Sequence, residues 1–298
     1  MKAEELEVDG TRIFLPKMEE KYDFNAGYRS CCRTLRKKTR EDYDAVVGIT
    51  GDEGVSKSTL ANHIGFDTDR AYTFEKNCLF SPDEQSMVEA IRKLPRFSTV
   101  NADEAIKILY KQQWWVQVFI NKFYRLCRQD NKISILCMPR FSEFNEGFRN
   151  HRILVWIHLL DRGIGVVFMK DWNPFSPDPW HVKDNYNIIQ KYTRRKKYFQ
   201  VSVERKINIL SKSSNFVDTI TFPDLPKEKR IEYKVLAAKH KYKGMEEEMK
   251  FGQRRSKVDE KYKKRERAWK ELIKEKTGMT DKQIADRLGV SRPTVTQM

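Results

Sequence analysis

Residues 44–60 read DAVVGITGDEGVSKSTL, and this stretch decides the fold. Its first part, Asp44 to Thr50, is mostly apolar and predicts a buried strand. A turn with two glycines follows, and the segment from about Ser58 onwards predicts a helix. A strand, a glycine-rich turn and a helix in this order form the context of a phosphate-binding loop, in which backbone N–H groups surround the phosphates.

The turn matches the phosphate-loop pattern G-x-x-x-x-G-K-[ST] at every position but one. Lys57 would reach the β- and γ-phosphate oxygens of ATP, and Ser58 would hold Mg²⁺. Ser56 stands where the pattern has glycine, and a side chain there restricts the backbone of the loop. The alternative is an ordinary glycine-rich turn. The predicted nucleotide-binding residues are Gly51, Asp52, Glu53, Gly54, Val55, Ser56, Lys57, Ser58 and Thr59.

An acidic motif follows the loop after about 45 residues, in the stretch FSTVNADEA at 97–105. Here a strand-like run ends in Asp103 and Glu104. We expect Asp103 to hold magnesium through water, and Glu104 to polarise the attacking water, which is the role that separates a hydrolase from a kinase. An isolated Asp-Glu pair is also common at a solvated helix N-terminus, where the helix dipole favours it. Together with Lys57, the pair predicts a hydrolytic site.

Short β-branched runs alternate with longer helical stretches on both sides of these motifs. Strands are expected at 78–80, 97–102 and 133–138, and the last is continuously apolar, as in buried parallel sheets. Residues 153–171 contain two apolar runs separated by Asp-Arg-Gly, which predicts an antiparallel hairpin. The predicted fold class is α/β, a P-loop NTPase core with a mainly parallel sheet plus an antiparallel hairpin, followed by a helical C-terminal extension with a helix-turn-helix.

The sequence predicts four parts. The segment TFPDLP, at 221–226, is bracketed by prolines, and the composition after it shifts to Lys and Glu. From Lys227 to Lys276 there are 19 basic and 10 acidic residues, which favours a solvated helix over a surface dedicated to gripping DNA. The predicted parts are a basic N-terminal arm (1–41), a P-loop ATPase domain (42–222), a charged helical connector (223–278) and a helix-turn-helix (279–298).

The composition limits the partners and the setting of the protein. With 39% hydrophobic residues the chain has enough apolar material for a sizeable core, and its net charge of +16 favours polyanions such as nucleic acid or anionic lipid. No run of about 18 apolar residues and no apolar signal core occur, so we expect no membrane span and a cytoplasmic location. Five cysteines without a C-x-x-C pair are expected to be reduced thiols, and the five scattered histidines indicate no transition-metal site.

On the loop at 51–59, the Asp-Glu motif and the strand alternation, residues 42–170 resemble the P-loop ATPases that have an additional strand between these two motifs. The late hairpin and the basic accessory segments are most similar to the FtsK–HerA group, including Zot-like ATPases of phages and plasmids and viral DNA-packaging ATPases. The resemblance implies a homo-oligomer, with a ring as one form, and ATP-driven movement of DNA. It also implies an arginine inserted from a neighbouring subunit, for which Arg128 matches, or less well Arg125. It further implies a polar sensor, often Gln or Asn in such proteins, for which Arg140 is the candidate here. For Arg128, a solvated helix-end arginine is the alternative.

The stretch TDKQIADRLGVSRPTVTQM, at 280–298, predicts a helix, a turn at Gly289 and a second helix. It resembles the helix-turn-helix of resolvases and phage regulators, in which the second helix enters the major groove of DNA. A helical hairpin that contacts protein is the alternative. The predicted DNA-binding residues are Ser291, Arg292, Thr294, Thr296 and Gln297.

Three functions are weighed on this basis. The leading hypothesis is a magnesium-dependent ATPase of a virus or mobile element that acts on DNA. The second is a non-hydrolysing DNA-binding regulator switched by ATP. Ser56 in the loop favours it, as does the absence of Gln or Asn at the sensor position, where Arg140 is the candidate. The third is a small-molecule kinase, which Glu104 and the C-terminal pattern disfavour.

Overall fold

The strand that precedes the phosphate loop lies at the centre of a seven-stranded sheet in the computed structural model of the chain. The structure describes residues 3–8, 11–16, 22–80, 82, 84–104, 130–173, 175–193 and 200–240, with residues 271, 280, 282 and 283. The chain divides into two compact units, Met1–Lys239 and His240–Met298, and the strands and helices below belong to the first.

The strand order places the strand of the phosphate loop at the centre of the sheet and the strand of the acidic motif two positions away from it. A separate antiparallel hairpin consists of β1 (Ala3–Val8) and β2 (Thr11–Pro16). The strands of the main sheet are β3 (Ala45–Thr50), β4 (Cys78–Phe80), β5 (Thr99–Asp103), β6 (Ile133–Met138), β7 (Ile153–Asp161), β8 (Ile164–Met169) and β9 (Phe216–Thr221). They are arranged in the order β4-β5-β6-β3-β7-β8-β9.

The first five strands of this order are parallel, while β8 is antiparallel to both β7 and β9. β6 lies between β3 and β5, so one strand separates the strand of the phosphate loop from the strand of the acidic motif. β7 and β8 form the predicted hairpin. The predicted fold class, a P-loop NTPase core with a mainly parallel sheet and an antiparallel hairpin, is confirmed.

Helices cover both faces of the sheet. They are α1 (Ala26–Arg40), α2 (Lys57–Thr68), α3 (Phe74–Asn77), α4 (Glu84–Lys93), α5 (Glu146–His151), α6 (Val182–Thr193), α7 (Val203–Leu210) and α8 (residues 227–240, of which 227–239 belong to the first unit). In β3, Val46 packs in a core cluster with α4 and α5, whereas Val47 and Ile49 pack with α1 and α2. Both faces of β3 are therefore buried, which explains why this strand is apolar without alternation.

Helix α1 comes from the stretch that the sequence places in a basic arm. Asn25 caps it, since the Asn25 side chain accepts from the backbone N–H of Tyr28 at 2.9 Å. Tyr28 and Leu35 are buried against the sheet and α2, because apolar residues recur along one side of the helix. Residues 26–40 are thus an integral layer of the P-loop core.

Helix α8 packs within the first compact unit as well. Tyr233 joins a third core cluster with Tyr72, Phe74 and Cys78, and Leu225 precedes the helix in that cluster. Residues 223–239, the first part of the predicted connector, therefore belong to the compact unit Met1–Lys239.

Several predictions fall on residues outside the described ranges. These are the inserted arginine Arg128, residues 241–270 of the charged connector, and the DNA-contacting residues Ser291, Arg292, Thr294, Thr296 and Gln297. At the start of the predicted helix-turn-helix, the backbone N–H of Thr280 donates to Gln283 Oε1 at 2.9 Å, as in one half of a capping box. No helix within the described ranges is both long and apolar enough to cross a membrane.

Candidate nucleotide-binding site

The phosphate loop occupies the space between the end of β3 and the start of α2. At its first position, Gly51 has φ of +151°, and a Cβ there would lie 2.8 Å from Val55 Cγ2 and 2.9 Å from the carbonyl oxygen of Leu159. Only glycine fits this close approach. At the last position before the helix, Ser56 has φ of 70° and ψ of 36°, which is the left-handed conformation. The backbone thus takes the glycine form of the pattern although the residue is serine.

The conformation at Ser56 carries strain. A left-handed backbone costs about 1 kcal/mol for a residue with a Cβ, and the Ser56 side chain makes no capping hydrogen bond that offsets it. Such strain persists only where the surrounding structure imposes it, and it concentrates at ligand sites. A left-handed residue directly before a helix also helps to form an anion-binding backbone nest.

Lys57 folds back over the loop that precedes it. Its Nζ donates to the carbonyl oxygens of Gly51 at 2.8 Å and Asp52 at 2.9 Å. These acceptors are neutral, and phosphate oxygens are stronger acceptors for an ammonium group. The lysine therefore lies at the loop with bonds that a phosphate can replace.

Ser58 and Asp103 meet although 45 residues separate them in the chain. Ser58 Oγ donates to Asp103 Oδ2 at 2.9 Å, and the same carboxylate oxygen accepts from the hydroxyl of Tyr233 at 2.7 Å. Burial raises the pKa of Asp103 above its usual value, while the hydrogen bonds from Tyr233 and Ser58 oppose the rise. The parallel order of β3, β6 and β5 explains the contact, because the C-terminal ends of these strands share one edge of the sheet.

Glu104 directly follows Asp103 and is exposed at the same edge of the sheet. Its φ is 54°, so this residue also takes the left-handed conformation. Holding a residue with a side chain in the left-handed conformation costs free energy, and such residues cluster at active sites. The backbone turns sharply after β5 and separates the exposed Glu104 from the partly buried Asp103.

These residues suit ATP and Mg²⁺ by the chemistry of their donors. Hydroxyl and carboxylate oxygens, as in Ser58 and Asp103, are the ligands that Mg²⁺ prefers. The N-terminus of α2 offers backbone N–H groups to phosphate, and Lys57 adds the positive charge. Bound magnesium would neutralise charge on the phosphate oxygens.

The segment after β6 also reaches the loop. The backbone N–H of Gly51 donates to the carbonyl oxygen of Pro139 at 3.2 Å, which brings the predicted sensor Arg140 within one residue of this contact. The Arg140 side chain is exposed, and the backbone N–H of Arg140 donates to Glu143 Oε2 at 3.3 Å. Arg128, the second predicted arginine, lies outside the described residues.

Three features of the site were not found from the sequence. Tyr233 contacts Asp103 from α8, within a stretch whose charge hides a single buried tyrosine. Arg162, in the turn between β7 and β8, donates from Nε to the carbonyl oxygen of Gly54 at 3.0 Å and so fixes the outer part of the loop. The sequence pattern did mark this turn, but only as a connector of strands.

The third feature is a polar chain beneath the loop, at the last residue of β3. Trp156 Nε1 donates to Thr50 Oγ1 at 2.7 Å, and Thr50 Oγ1 lies 3.0 Å from His158 Nδ1. The Thr50 hydroxyl can donate to His158 Nδ1 or accept from it, depending on which ring nitrogen carries the proton, and a neutral ring allows either bond. Burial lowers the pKa of His158 to about 4, in agreement with that neutral form.

The similarity of the chain to known proteins is weak. No protein-family model matches the chain, and no curated protein matches it. Of the solved structures, PCH-2 from C. elegans is similar at 13% sequence identity with a TM-score of 0.33, over 61% of this chain and 52% of PCH-2. This chain thus spans about half the length of PCH-2. A point variant of RuvB from Thermotoga maritima is similar at 13% identity with a TM-score of 0.33, over 92% of this chain and 85% of RuvB. Because both similarities are weak, the P-loop fold is assigned from the strand order and the phosphate loop of this chain.

Proposed function

We propose that the chain is a magnesium-dependent ATPase that acts on DNA. The observation that carries the proposal is the hydrogen bond of 2.9 Å between Ser58 and Asp103, which joins the phosphate loop to the acidic motif. Lys57 lies on the same loop, and Glu104 follows Asp103 at the exposed edge of the sheet. In this proposal Lys57 binds the phosphates, Ser58 and Asp103 hold magnesium, and Glu104 polarises the attacking water.

The DNA part of the proposal is supported by charge and by sequence pattern. The net charge of +16 favours a polyanion, and residues 280–298 carry the helix-turn-helix pattern. The resemblance to the FtsK–HerA group, with its Zot-like and packaging ATPases, extends the proposal to a cytoplasmic homo-oligomer of a virus or mobile element. In such an assembly Arg128 of one subunit would act at the neighbouring site, and Arg140 would serve as the polar sensor.

Steady-state release of phosphate from ATP with magnesium, with and without duplex DNA, tests the proposal. We expect the wild type to release phosphate and DNA to stimulate the release. Lys57→Ala should abolish nucleotide binding, because the loop loses its only lysine. Glu104→Gln should retain binding and lose turnover by about 10²-fold or more, because only the activation of water is removed. Glu204→Gln, at an exposed position on α7, is the matched control and should change neither.

An equal loss of binding in Lys57→Ala and Glu104→Gln would contradict their separate roles. ATP binding without phosphate release in the wild type would favour the second candidate, a DNA-binding regulator switched by ATP. Two observations favour that candidate: the strained Ser56 in the loop and an exposed arginine at the sensor position. Phosphate release without any acceptor molecule would exclude the small-molecule kinase.

A further inference from the structure

Helix α1 presents a row of cations on its exposed side. They recur at intervals of three and four residues, so they lie along one face of the helix. Their span of 11 residues corresponds to about 16 Å at 1.5 Å per residue. The exposed cations are Arg29, Arg33, Arg36, Lys37 and Arg40.

The row stands on a fixed support. The opposite side of α1 is buried through Tyr28, Cys32 and Leu35, and Asn25 Nδ2 at the helix start donates to the carbonyl oxygen of Thr219 in β9 at 2.9 Å. A packed helix presents its side chains with less loss of freedom than a disordered arm. The cations are therefore held in line rather than scattered over a mobile segment.

Most of this charge is not neutralised by the protein. Lys37 pairs with Glu41 at 3.6 Å across an exposed helix end. Among the described residues, none of the four arginines of the row pairs with a carboxylate. A groove of about 780 Å³ runs beside the row, and its one further acid, Asp67, accepts from the hydroxyl of Tyr28 at 2.7 Å.

We infer that this cationic face of α1 binds the phosphate backbone of duplex DNA. The inference rests on the proposed function, and it assigns to the ATPase domain a DNA-contacting surface separate from residues 280–298. A row of about 16 Å spans roughly five phosphates of one strand at 3.4 Å per nucleotide. Guanidinium groups bind phosphate with two parallel hydrogen bonds, and the contacts read no sequence.

A membrane surface fits this face less well than DNA. A helix that lies in a lipid interface needs an apolar side to insert into the acyl boundary. The apolar side of α1 is already buried against the sheet and α2, and no large hydrophobic residue of α1 is exposed. Only charge is available to a partner.

Salt-dependent binding of the full chain to a random-sequence duplex tests the inference. The test variant combines Arg29→Gln, Arg33→Gln and Arg40→Gln. Its matched control combines Lys183→Gln, Lys191→Gln and Arg205→Gln, which removes three exposed cations from α6 and α7 on the other face of the sheet. Both variants lose three units of charge, so a difference between them reports the position of the charge.

We expect the α1 variant to bind the duplex about tenfold or more weakly near physiological salt. The slope of log K against log salt should become about 2.7 less steep, because each lost phosphate contact removes about 0.9. The control should keep most of the affinity and slope of the wild type. ATP hydrolysis without DNA should be the same in all three proteins.

Equal affinities and slopes for the two variants would overturn the inference, and DNA-stimulated hydrolysis would then still support the proposed function. A wild type that hydrolyses no ATP, with DNA affinity lost only in the α1 variant, would refute the ATPase and support the inference. Loss of binding to phosphatidylserine-containing vesicles with unchanged duplex binding would overturn it in favour of a membrane. A wild type that binds no duplex DNA would overturn it as well.

Discussion

Tyr233 Oη donates a hydrogen bond of 2.7 Å to Asp103 Oδ2, the oxygen that also accepts from Ser58. The contact joins α8 to the predicted magnesium ligand across 130 residues of sequence. Burial and the neighbouring carboxylate raise the pKa of Tyr233, so the phenol keeps its proton and remains a donor. Helix α8 of the first unit thus contacts the acidic motif through Tyr233.

Tyr233→Phe should lower the free energy of unfolding by about 1.5–3 kcal/mol near neutral pH, the usual value of a hydrogen bond to a charged group. The ring contacts with Phe74 and Phe80, at centroid distances of 5.4 and 5.3 Å, remain in the variant. Urea unfolding measures the effect. Tyr192→Phe is the control, because the Tyr192 hydroxyl makes no hydrogen bond within the described residues. A loss of equal size in both variants would contradict a specific bond to Asp103.

Asp103→Asn should stabilise the protein without nucleotide by about 1 kcal/mol at neutral pH, because it removes a buried charge and keeps an acceptor for Ser58 and Tyr233. The pKa of Asp103 is raised on folding, so the folded state binds more protons than the unfolded state between the two pKa values. Wild-type stability from this group therefore falls as the pH rises through that window. The same variant should lose magnesium-dependent hydrolysis.

Urea unfolding of wild type and Asp103→Asn from pH 4 to pH 8 measures this difference. Asp184→Asn, on the exposed face of α6, controls for the loss of one carboxylate. If Asp103→Asn were less stable than the wild type at neutral pH, the two hydrogen bonds to the carboxylate would outweigh the burial of its charge. The pKa of Asp103 would then not be raised on folding.

Ser56→Gly should stabilise the phosphate loop by about 1 kcal/mol, because glycine takes a φ of 70° without strain. Gly54→Ala is the reverse test, since Gly54 has φ of +81° and an added Cβ would meet no atom within 4 Å. It should cost about 1 kcal/mol through backbone strain alone. Thermal unfolding of both variants measures the pair. Opposite signs are expected, and a destabilised Ser56→Gly would show that the serine side chain contributes a bond that offsets its strain.

The central strands could be predicted because their signals are local. β3 and β6 are apolar at nearly every position, so both strands could be predicted from their own residues. The phosphate loop that follows β3 was predicted from the same stretch of sequence. The contact between Ser58 and Asp103 follows from the parallel order of β3, β6 and β5, which brings the ends of β3 and β5 to one edge of the sheet. Local pattern and chain topology together therefore account for the predicted site.

The remaining contacts depend on residues far apart in the sequence. Tyr233 lies in a stretch with many charged residues, where one buried aromatic has no periodic signal. The helix of residues 26–40 does show buried positions at 28, 31, 35 and 39, but its arginines and lysines dominate the composition. Thr50 meets His158 only because β3 pairs with β7 in parallel register. Composition and periodicity do not contain that pairing.

His158 should make the stability of the protein depend on pH below neutrality. Its folded pKa of about 4 lies below the ordinary 6.5, so the unfolded state binds the proton first as the pH falls. Stability from this group is present above pH 6.5 and is lost towards pH 4, by on the order of 3 kcal/mol. His158→Asn keeps a polar group that can either donate to Thr50 or accept from it, and removes the titration, so its stability should fall less over this range. Urea unfolding from pH 4 to pH 7 measures the difference, with the exposed His151→Asn as control. Parallel curves for wild type and His158→Asn would refute a buried neutral imidazole beneath the phosphate loop.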